Sequence, residues 1–257
     1  MSNAEAQRRR ENKPTKRRNE MGKMGYGYGS EFHLLRWMGR HRFRFDMSVC
    51  KTLDVDEIKW LDFKFSKSND IPDNELRGLD FMDRNNPSFE EVMSHYRESW
   101  PQRGNQMNWD AVGIADDMYV LCEAKAHIEE VEREHRLDDE TESVQKRADA
   151  FDFAKEVIGV QKSIDWLHNY YQMANRLYIL ALLTHHNIRA MLLNIYFCGD
   201  KFRNRVCPKD RNGWRDTIND EYNALGIKNN SFVKERVRHI FLPVDNDEGI
   251  EIGMDLI

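Results

Sequence analysis

The sequence predicts an α/β domain in which a central mixed β-sheet is flanked by helices. Two apolar runs meet at Asp116 and Asp117 in the pattern of a β-hairpin, and residues 188–197 are almost continuously apolar, which is typical of a strand buried on both faces. Segments of helical periodicity stand between and after these strands. With 257 residues, 40% apolar and 32% charged, the chain can bury one core, and residues 30–245 are predicted to form a single domain.

Local patterns place the elements in order. Ser30 is predicted to cap a helix over residues 30–38 that Gly39 ends, and Ser88 to cap another over 88–99. Residues 58–65 are aromatic and strand-like, and the hairpin strands are expected over 109–114 and 118–122. The later elements are helices at 143–157 and 164–184, the buried strand at 188–197, helices at 211–224 and 231–237, and a short strand at 239–243.

The two ends of the chain differ in charge. Residues 1–29 are predicted to be a flexible basic leader, with a net charge of +5 over residues 1–24 and a glycine-rich end. The rest therefore carries −10, and residues 246–257 are expected to form a solvated acidic tail. An acidic body does not indicate nucleic-acid binding, so phosphate contacts would need local basic patches. The leader is either such a patch or a solubilising tail.

The apolar segments and the cysteines of the sequence indicate the cellular compartment of the protein. No apolar run approaches the roughly 20 residues that a membrane span requires, and no signal-peptide pattern opens the chain. The four cysteines stand apart, without CxxC spacing. These patterns predict reduced thiols and a cytoplasmic protein.

The hairpin places three charged residues together. A two-residue turn at Asp116 and Asp117 sets a register in which Asp110 lies opposite Glu123. Side chains alternate along a strand, so Lys125 projects from the same face as Glu123. Carboxylates directly across a ladder repel each other, unless a cation lies between them. The pair therefore predicts a site for a hard divalent ion such as Mg²⁺.

A family resemblance follows from these residues. Trp109-Asp110, followed after the turn by Glu123-Ala124-Lys125, resembles the active-site motif of the PD-(D/E)xK nucleases. The resemblance implies a restriction-endonuclease-like core and catalysis by Asp110, Glu123 and Lys125. It also implies Mg²⁺ or Mn²⁺ bound by Asp110, Glu123 and the Ala124 carbonyl. Trp109 departs from the motif, because the family has proline there.

The motif is more specific than the triplet alone. Two other acid-x-Lys triplets begin at Glu57 and Asp62, and neither has an acid placed across a hairpin. The resemblance covers about 90 residues, from 109 to 197, and includes the helix and strand order after the motif. Residues 100–105 and 196–200 further resemble those of a bacterial group.

Further site residues have two interpretations each. The resemblance implies that Glu31 on the first helix completes the metal site, but an acid in a first turn also complements the helix dipole. The resemblance also implies that Gln172 is a catalytic residue. Alternatively, Gln172 belongs to a solvated polar stripe on its helix. Arg176, one turn later, either contacts a phosphate or shares that stripe. His185 and His186 fit a helix C-terminus, and no histidine or cysteine spacing matches a usual zinc motif.

The function predicted is a metal-dependent nuclease acting on DNA, in defence, restriction or repair. The alternative is a catalytically inactive protein of the same fold that binds nucleic acid or a protein partner. Nucleic acid is the expected partner, no membrane partner is expected, and a homodimer is compatible with the sequence.

Overall fold

The computed structural model describes residues 28–61, 75–102, 107–132 and 142–244, together with the strand at 251–253. A central mixed sheet carries helices on both faces, which confirms the predicted α/β class. None of the helices in these ranges is both long and apolar enough to cross a membrane. The helices are α1 (Ser30–Gly39), α2 (Arg42–Leu53), α3 (Phe89–Ser99), α4 (Ile128–Val131), α5 (Glu142–Ile158), α6 (Tyr171–His185), α7 (Arg211–Ala224) and α8 (Ser231–Arg236). The strands are β1 (Lys59–Trp60), β2 (Leu76–Arg77), β3 (Asn108–Trp109), β4 (Ala111–Ala115), β5 (Met118–Lys125), β6 (Ala190–Cys198), β7 (Val237–Pro243) and β8 (Glu251–Gly253).

The central sheet has the strand order β1-β4-β5-β6-β7-β8. Strands β4 and β5 form the predicted hairpin, whose ladder runs from Ala115 opposite Met118 to Ala111 opposite Cys122. Strands β5, β6 and β7 are parallel, and helices occupy their connections, as parallel strands require. Strands β1 and β8 close the edges in antiparallel pairing, and β2 and β3 form a separate ribbon.

Different helices cover the two faces of the sheet. Helices α1 and α2 pack on one face, with Leu34 in the core between them and the strands. Helices α3, α5, α6 and α7 pack on the other face, where Leu177 of α6 and Leu121 of β5 belong to one buried cluster. Every residue of β6 is buried, because this strand is covered on both sides. Glu123 and Lys125 alternate in phase with Leu121, so they project toward the face that α6 and α7 cover.

Helix α6 is shorter than predicted and begins at Tyr171 rather than at residue 164. The Asp165 carboxylate accepts hydrogen bonds from the backbone N–H groups of Leu167 (3.0 Å) and His168 (3.2 Å). Such local side-chain bonds favour a turn over a helix. Twelve of the 15 residues of α6 are buried, so any polar side chain among them needs a partner inside the protein.

Helix α2 was not predicted, although its signal is present. Phe45, Val49 and Leu53 are spaced by four and are buried on one side of the helix. Arg42, Arg44 and Lys51 lower the average hydrophobicity of the segment. Of the strand expected at 58–65, only Lys59–Trp60 forms a strand, and residues 62–65 lie outside the described ranges.

At both ends of the chain, described residues outside the predicted domain of residues 30–245 contact it. The Gly29 N–H donates to Asp200 at 2.8 Å and Tyr28 stacks on Phe202, so the folded domain begins before residue 30. Gly29, with φ of 88°, is the N-cap of α1, and the side chain of Ser30 does not cap it. The segment expected to be a solvated tail contains β8, which pairs with β7. Leader residues 1–27 lie outside the described ranges.

Candidate active site

The hairpin brings Asp110 to Glu123, but Asp110 stands just outside the ladder. The predicted register is confirmed up to Ala111 opposite Cys122, and Asp110 forms the bend before β4. Its Oδ2 atom accepts a hydrogen bond from the Ala124 N–H at 2.6 Å. The strand end therefore holds Asp110 through its side chain rather than through backbone pairing.

Lys125 bridges Glu123 and Gln172. The Lys125 Nζ atom lies 2.5 Å from Glu123 Oε1 and 2.7 Å from Gln172 Oε1. Lys125 comes from the end of β5 and Gln172 from the first turn of α6. Gln172 therefore contacts Lys125 rather than only solvent, and its catalytic role stays a prediction from the resemblance.

Arg176 is buried and contacts the same carboxylate. Its Nε and Nη2 atoms lie 2.7 and 2.6 Å from Glu123 Oε2, and Nη2 also donates to the Asn108 carbonyl at 2.6 Å. The guanidinium carbon lies 4.6 Å from the ring centroid of Trp109. In this structure Arg176 therefore joins Glu123 to the strand before Asp110 and belongs neither to a solvated stripe nor to an open phosphate site.

Trp109 stands where the resembling family has proline. It is fully buried, and its Nε1–H donates to the Gly78 carbonyl at 2.8 Å. Together with the stacked Arg176, this bond anchors the chain immediately before Asp110. The departure from the motif thus has a structural role in positioning the first carboxylate.

The two acids of the site differ in their pKa values. Burial and the neighbouring Glu123 raise the pKa of Asp110 to about 7, against the attraction of Lys125. Burial would raise the pKa of Glu123 as well, but Arg176 and Lys125 outweigh it and lower that pKa to about 2. Burial opposes the charged form of Lys125, yet Glu123 and Asp110 raise its pKa above the ordinary value. Without a metal, Glu123 is an anion held by two cations, and Asp110 is partly protonated at neutral pH.

The donor atoms at this point suit a hard divalent cation. Asp110 and Glu123 supply carboxylate oxygens, and burial together with Glu123 raises the pKa of Asp110 in spite of Lys125 and Arg176. The N–H and C=O of one strand residue point to the same side, so the Ala124 carbonyl faces the edge where its N–H meets Asp110. Three oxygen donors of this kind fit Mg²⁺ or Mn²⁺ better than a softer metal.

Glu221 is a buried acid at this site that the sequence interpretation missed. It lies on α7, whose Trp214 packs 4.9 Å from Tyr196, the ladder partner of Lys125. Burial raises the pKa of Glu221 to about 8, with Lys125 opposing and Glu123 adding to the shift. An acid on the apolar face of a predicted helix, three residues after Ile218, was the available signal.

Glu31 is not among the residues that the structure brings together. Its side chain is exposed on the first turn of α1, and the buried residues of α1 pack on the opposite face of the sheet from Glu123. A contribution of Glu31 to the metal site remains a prediction from the resemblance.

Comparison of the chain with models of protein families, with curated proteins and with solved structures finds no match. The interpretation of the site therefore rests on its geometry and on the resemblance of its residues to the PD-(D/E)xK motif.

Proposed function

We propose that this chain is a nuclease that hydrolyses phosphodiester bonds in DNA, using Mg²⁺ or Mn²⁺ held by Asp110, Glu123 and the Ala124 carbonyl. One observation carries the proposal: Asp110, Glu123 and Lys125 meet at the end of the β4–β5 hairpin, with Gln172 on the lysine. Two acids that lie side by side and away from solvent lower the stability of the fold. A metal-binding function explains why they are present.

The residues of the chain would divide the chemistry. A bound ion would polarise a phosphoryl oxygen and lower the pKa of a coordinated water. Lys125, whose pKa is raised, stays protonated at neutral pH, so it suits stabilisation of developing negative charge better than removal of a proton. Gln172 keeps the Lys125 ammonium group beside Glu123.

The topology around the site agrees with a restriction-endonuclease-like core. An antiparallel hairpin carries the acids, and helices α5 and α6 then lead to the parallel strand β6. This order supports the proposed fold, whereas the proposed role in defence, restriction or repair depends on the resemblance alone. The site residues Asp110, Lys125 and Gln172 are each partly exposed, which leaves a substrate access to them.

Cleavage assays test the proposal directly. Purified protein is incubated with plasmid, linear duplex and single strands, each with Mg²⁺, Mn²⁺ or EDTA. We expect metal-dependent cleavage, lost in Asp110→Ala, Glu123→Ala and Lys125→Ala variants whose circular dichroism spectra remain native-like. Glu57→Ala, which alters an acid-x-Lys triplet without a partner acid, should cleave normally. Full activity in any of the three site variants would contradict the proposal.

A second candidate function is a non-catalytic protein that keeps this fold and binds nucleic acid or a protein partner. One observation favours it: both oxygens of Glu123 are already bound, by Lys125 and by Arg176. Such a network can be purely structural. Nucleic-acid binding without cleavage, together with a melting temperature that Mg²⁺ does not change, would favour this alternative.

A further inference from the structure

Three histidines meet away from the carboxylate site. One ring nitrogen each from His95, His185 and His186 lie within 4.8 Å of one another. His95 is on α3, whereas His185 ends α6 and His186 follows it. Gln172 lies 13 residues earlier on α6, a distance of about 20 Å along a helix. The histidine cluster is therefore a separate location from Asp110 and Glu123.

The nitrogens are spaced as metal ligands would be. His95 Nδ1 lies 3.0 Å from His186 Nε2. Two nitrogens bound to one tetrahedral Zn²⁺ at roughly 2.0–2.1 Å lie about 3.3 Å apart. The ring centroids of His185 are 5.8 Å from His95 and 5.0 Å from His186, so the third imidazole stands beside the other two. An ion could take the place of the proton that His95 and His186 share, with a small shift of the rings.

The surroundings resemble the outer shell of a metal site. The second nitrogen of His186, Nδ1, lies 3.5 Å from Glu91 Oε1. Metal-binding histidines typically direct their other ring nitrogen to a carboxylate, which orients the ring and raises its basicity. Phe153 packs on His95 at 4.8 Å and on His185 at 5.2 Å, and so forms an apolar wall.

Two of the three imidazoles, those of His95 and His186, have lowered pKa values, which favours the form that binds metals. Burial and the neighbouring His186 and His185 lower the pKa of His95, with Glu98 and Glu91 opposing. Burial likewise lowers the pKa of His186, with Glu91 opposing and His185 adding to the shift. Neutral imidazole is the metal-binding form. The geometry, however, is what points to a ligand: three nitrogens on two helices converge on one volume.

We propose that His95, His185 and His186 bind a divalent transition-metal ion of the Zn²⁺ class, which links α3 to the end of α6. An all-imidazole site suits Zn²⁺, Ni²⁺ or Cu²⁺ and disfavours Mg²⁺, which prefers oxygen. His185 is exposed, so the fourth position would be open to water. This inference goes beyond the proposed nuclease and does not depend on it.

Titration of the metal-stripped full chain with Zn²⁺, and with Co²⁺ as a visible-absorption probe, tests the site. Excess Mg²⁺ is kept present to compete with Zn²⁺ for oxygen-donor sites such as the carboxylates of Asp110 and Glu123. We expect one Zn²⁺ per chain and a tetrahedral Co²⁺ spectrum. His185→Ala alters an exposed side chain and should fold normally, yet weaken binding by more than about 100-fold, beyond the roughly 10–100-fold that loss of an outer-shell partner costs. Glu91→Gln should weaken binding within that lower range.

A matched control is His168→Ala, which removes another exposed histidine, one that contacts Asp165 rather than the cluster. It should bind Zn²⁺ like the wild type. Binding that is equally strong in the wild type, His185→Ala and His95→Gln would overturn the proposal, as would the absence of Zn²⁺ and Co²⁺ binding in the wild type. Asp110→Asn should retain the Zn²⁺ site, so failure of the nuclease proposal would be visible separately.

Discussion

Arg176 contacts Glu123 through two nitrogens, Nε at 2.7 Å and Nη2 at 2.6 Å, and both bind the single oxygen Oε2. The other oxygen, Oε1, accepts from Lys125 at 2.5 Å. Arg176 and Glu123 are both buried, so removal of Arg176 would leave Glu123 with Lys125 alone, and removal of Glu123 would leave Arg176 without that counterion away from solvent. The metal-free site is an ion-pair network centred on Glu123.

Arg176→Met should destabilise the fold by about 3–5 kcal/mol, the cost of breaking a buried ion pair. The double variant Arg176→Met with Glu123→Gln should lose less than the sum of the single losses, because removal of Arg176 breaks its ion pair only while the Glu123 carboxylate is present. Urea unfolding measures both. Arg189→Met is the matched control, since Arg189 pairs with Asp117 on the exposed surface and should cost about 1 kcal/mol or less. Equal losses of unfolding free energy in Arg176→Met and Arg189→Met would show that the buried ion pair of Arg176 stabilises the fold no more than the exposed pair of Arg189.

Asp110→Asn should raise the melting temperature of the metal-free protein at neutral pH. The folded pKa of Asp110 is about 7, above its unfolded value, so proton binding favours the folded state. The stabilisation from that proton is present at low pH and is lost as pH rises through about 7. The wild type in EDTA should therefore melt lower at pH 8 than at pH 5, and Asp110→Asn should show a flatter dependence. If the melting temperature of Asp110→Asn fell more steeply with pH than that of the wild type, titration of Asp110 would not be the cause of the pH dependence.

Metal should reverse the order of those two proteins. Millimolar Mg²⁺ or Mn²⁺ should stabilise the wild type by mass action, because the ion binds only the folded state. Asp110→Asn lacks one anionic ligand and should respond much less. Melting curves with and without metal provide the test. If both proteins shift equally, Asp110 and Glu123 do not form a paired metal site.

Glu221→Gln should stabilise the protein above pH 8 and change little at pH 5. The pKa of Glu221 is raised to about 8 by burial, so its ionisation destabilises the fold as pH rises through that value. The amide cannot ionise and removes this loss. Melting temperatures across pH 5–9 should separate the variant from the wild type, whereas Glu235→Gln, an exposed control, should follow the wild type.

Trp109→Phe should destabilise the protein and lower any cleavage activity. The variant loses the Nε1–H bond to the Gly78 carbonyl, at a cost of about 1–3 kcal/mol for a buried partner left unpaired. Trp109→Ala should cost more, about 3–5 kcal/mol, because it also opens a cavity. Urea unfolding gives both losses. A phenylalanine variant as stable as the wild type would show that the bond to Gly78 does not anchor the hairpin.

Local periodicity was enough to predict the hairpin and the acids it carries. A two-residue turn and the alternation of β4 and β5 determine which residues face each other, so the approach of Asp110 to Glu123 followed from spacing. The helix that carries Gln172 was predicted for the same reason, although the turn at Asp165 delays its start to Tyr171.

Long-range packing decided what the sequence could not predict. Arg176 reaches Glu123 because α6 presents that side to β5, and no local pattern specifies this. Glu221 reaches the same site from α7, about 100 positions after Glu123 in the chain. His95 joins His186 across 91 positions, so the cluster is invisible to any motif based on spacing.

Because the β4–β5 ladder ends at Ala111, the carboxylates of Asp110 and Glu123 are held in different ways. Glu123 lies within β5 and is gripped by Lys125 and Arg176, whereas in the described part of the chain Asp110 lies beyond the paired strand and is tethered by the N–H of Ala124. The Glu123 carboxylate is thus held by two cations, whereas a backbone N–H holds the Asp110 carboxylate. An arriving cation would compete with Lys125 and Arg176 for Glu123 but with a neutral donor for Asp110, so exchange of a metal ion should cost less at Asp110 than at Glu123.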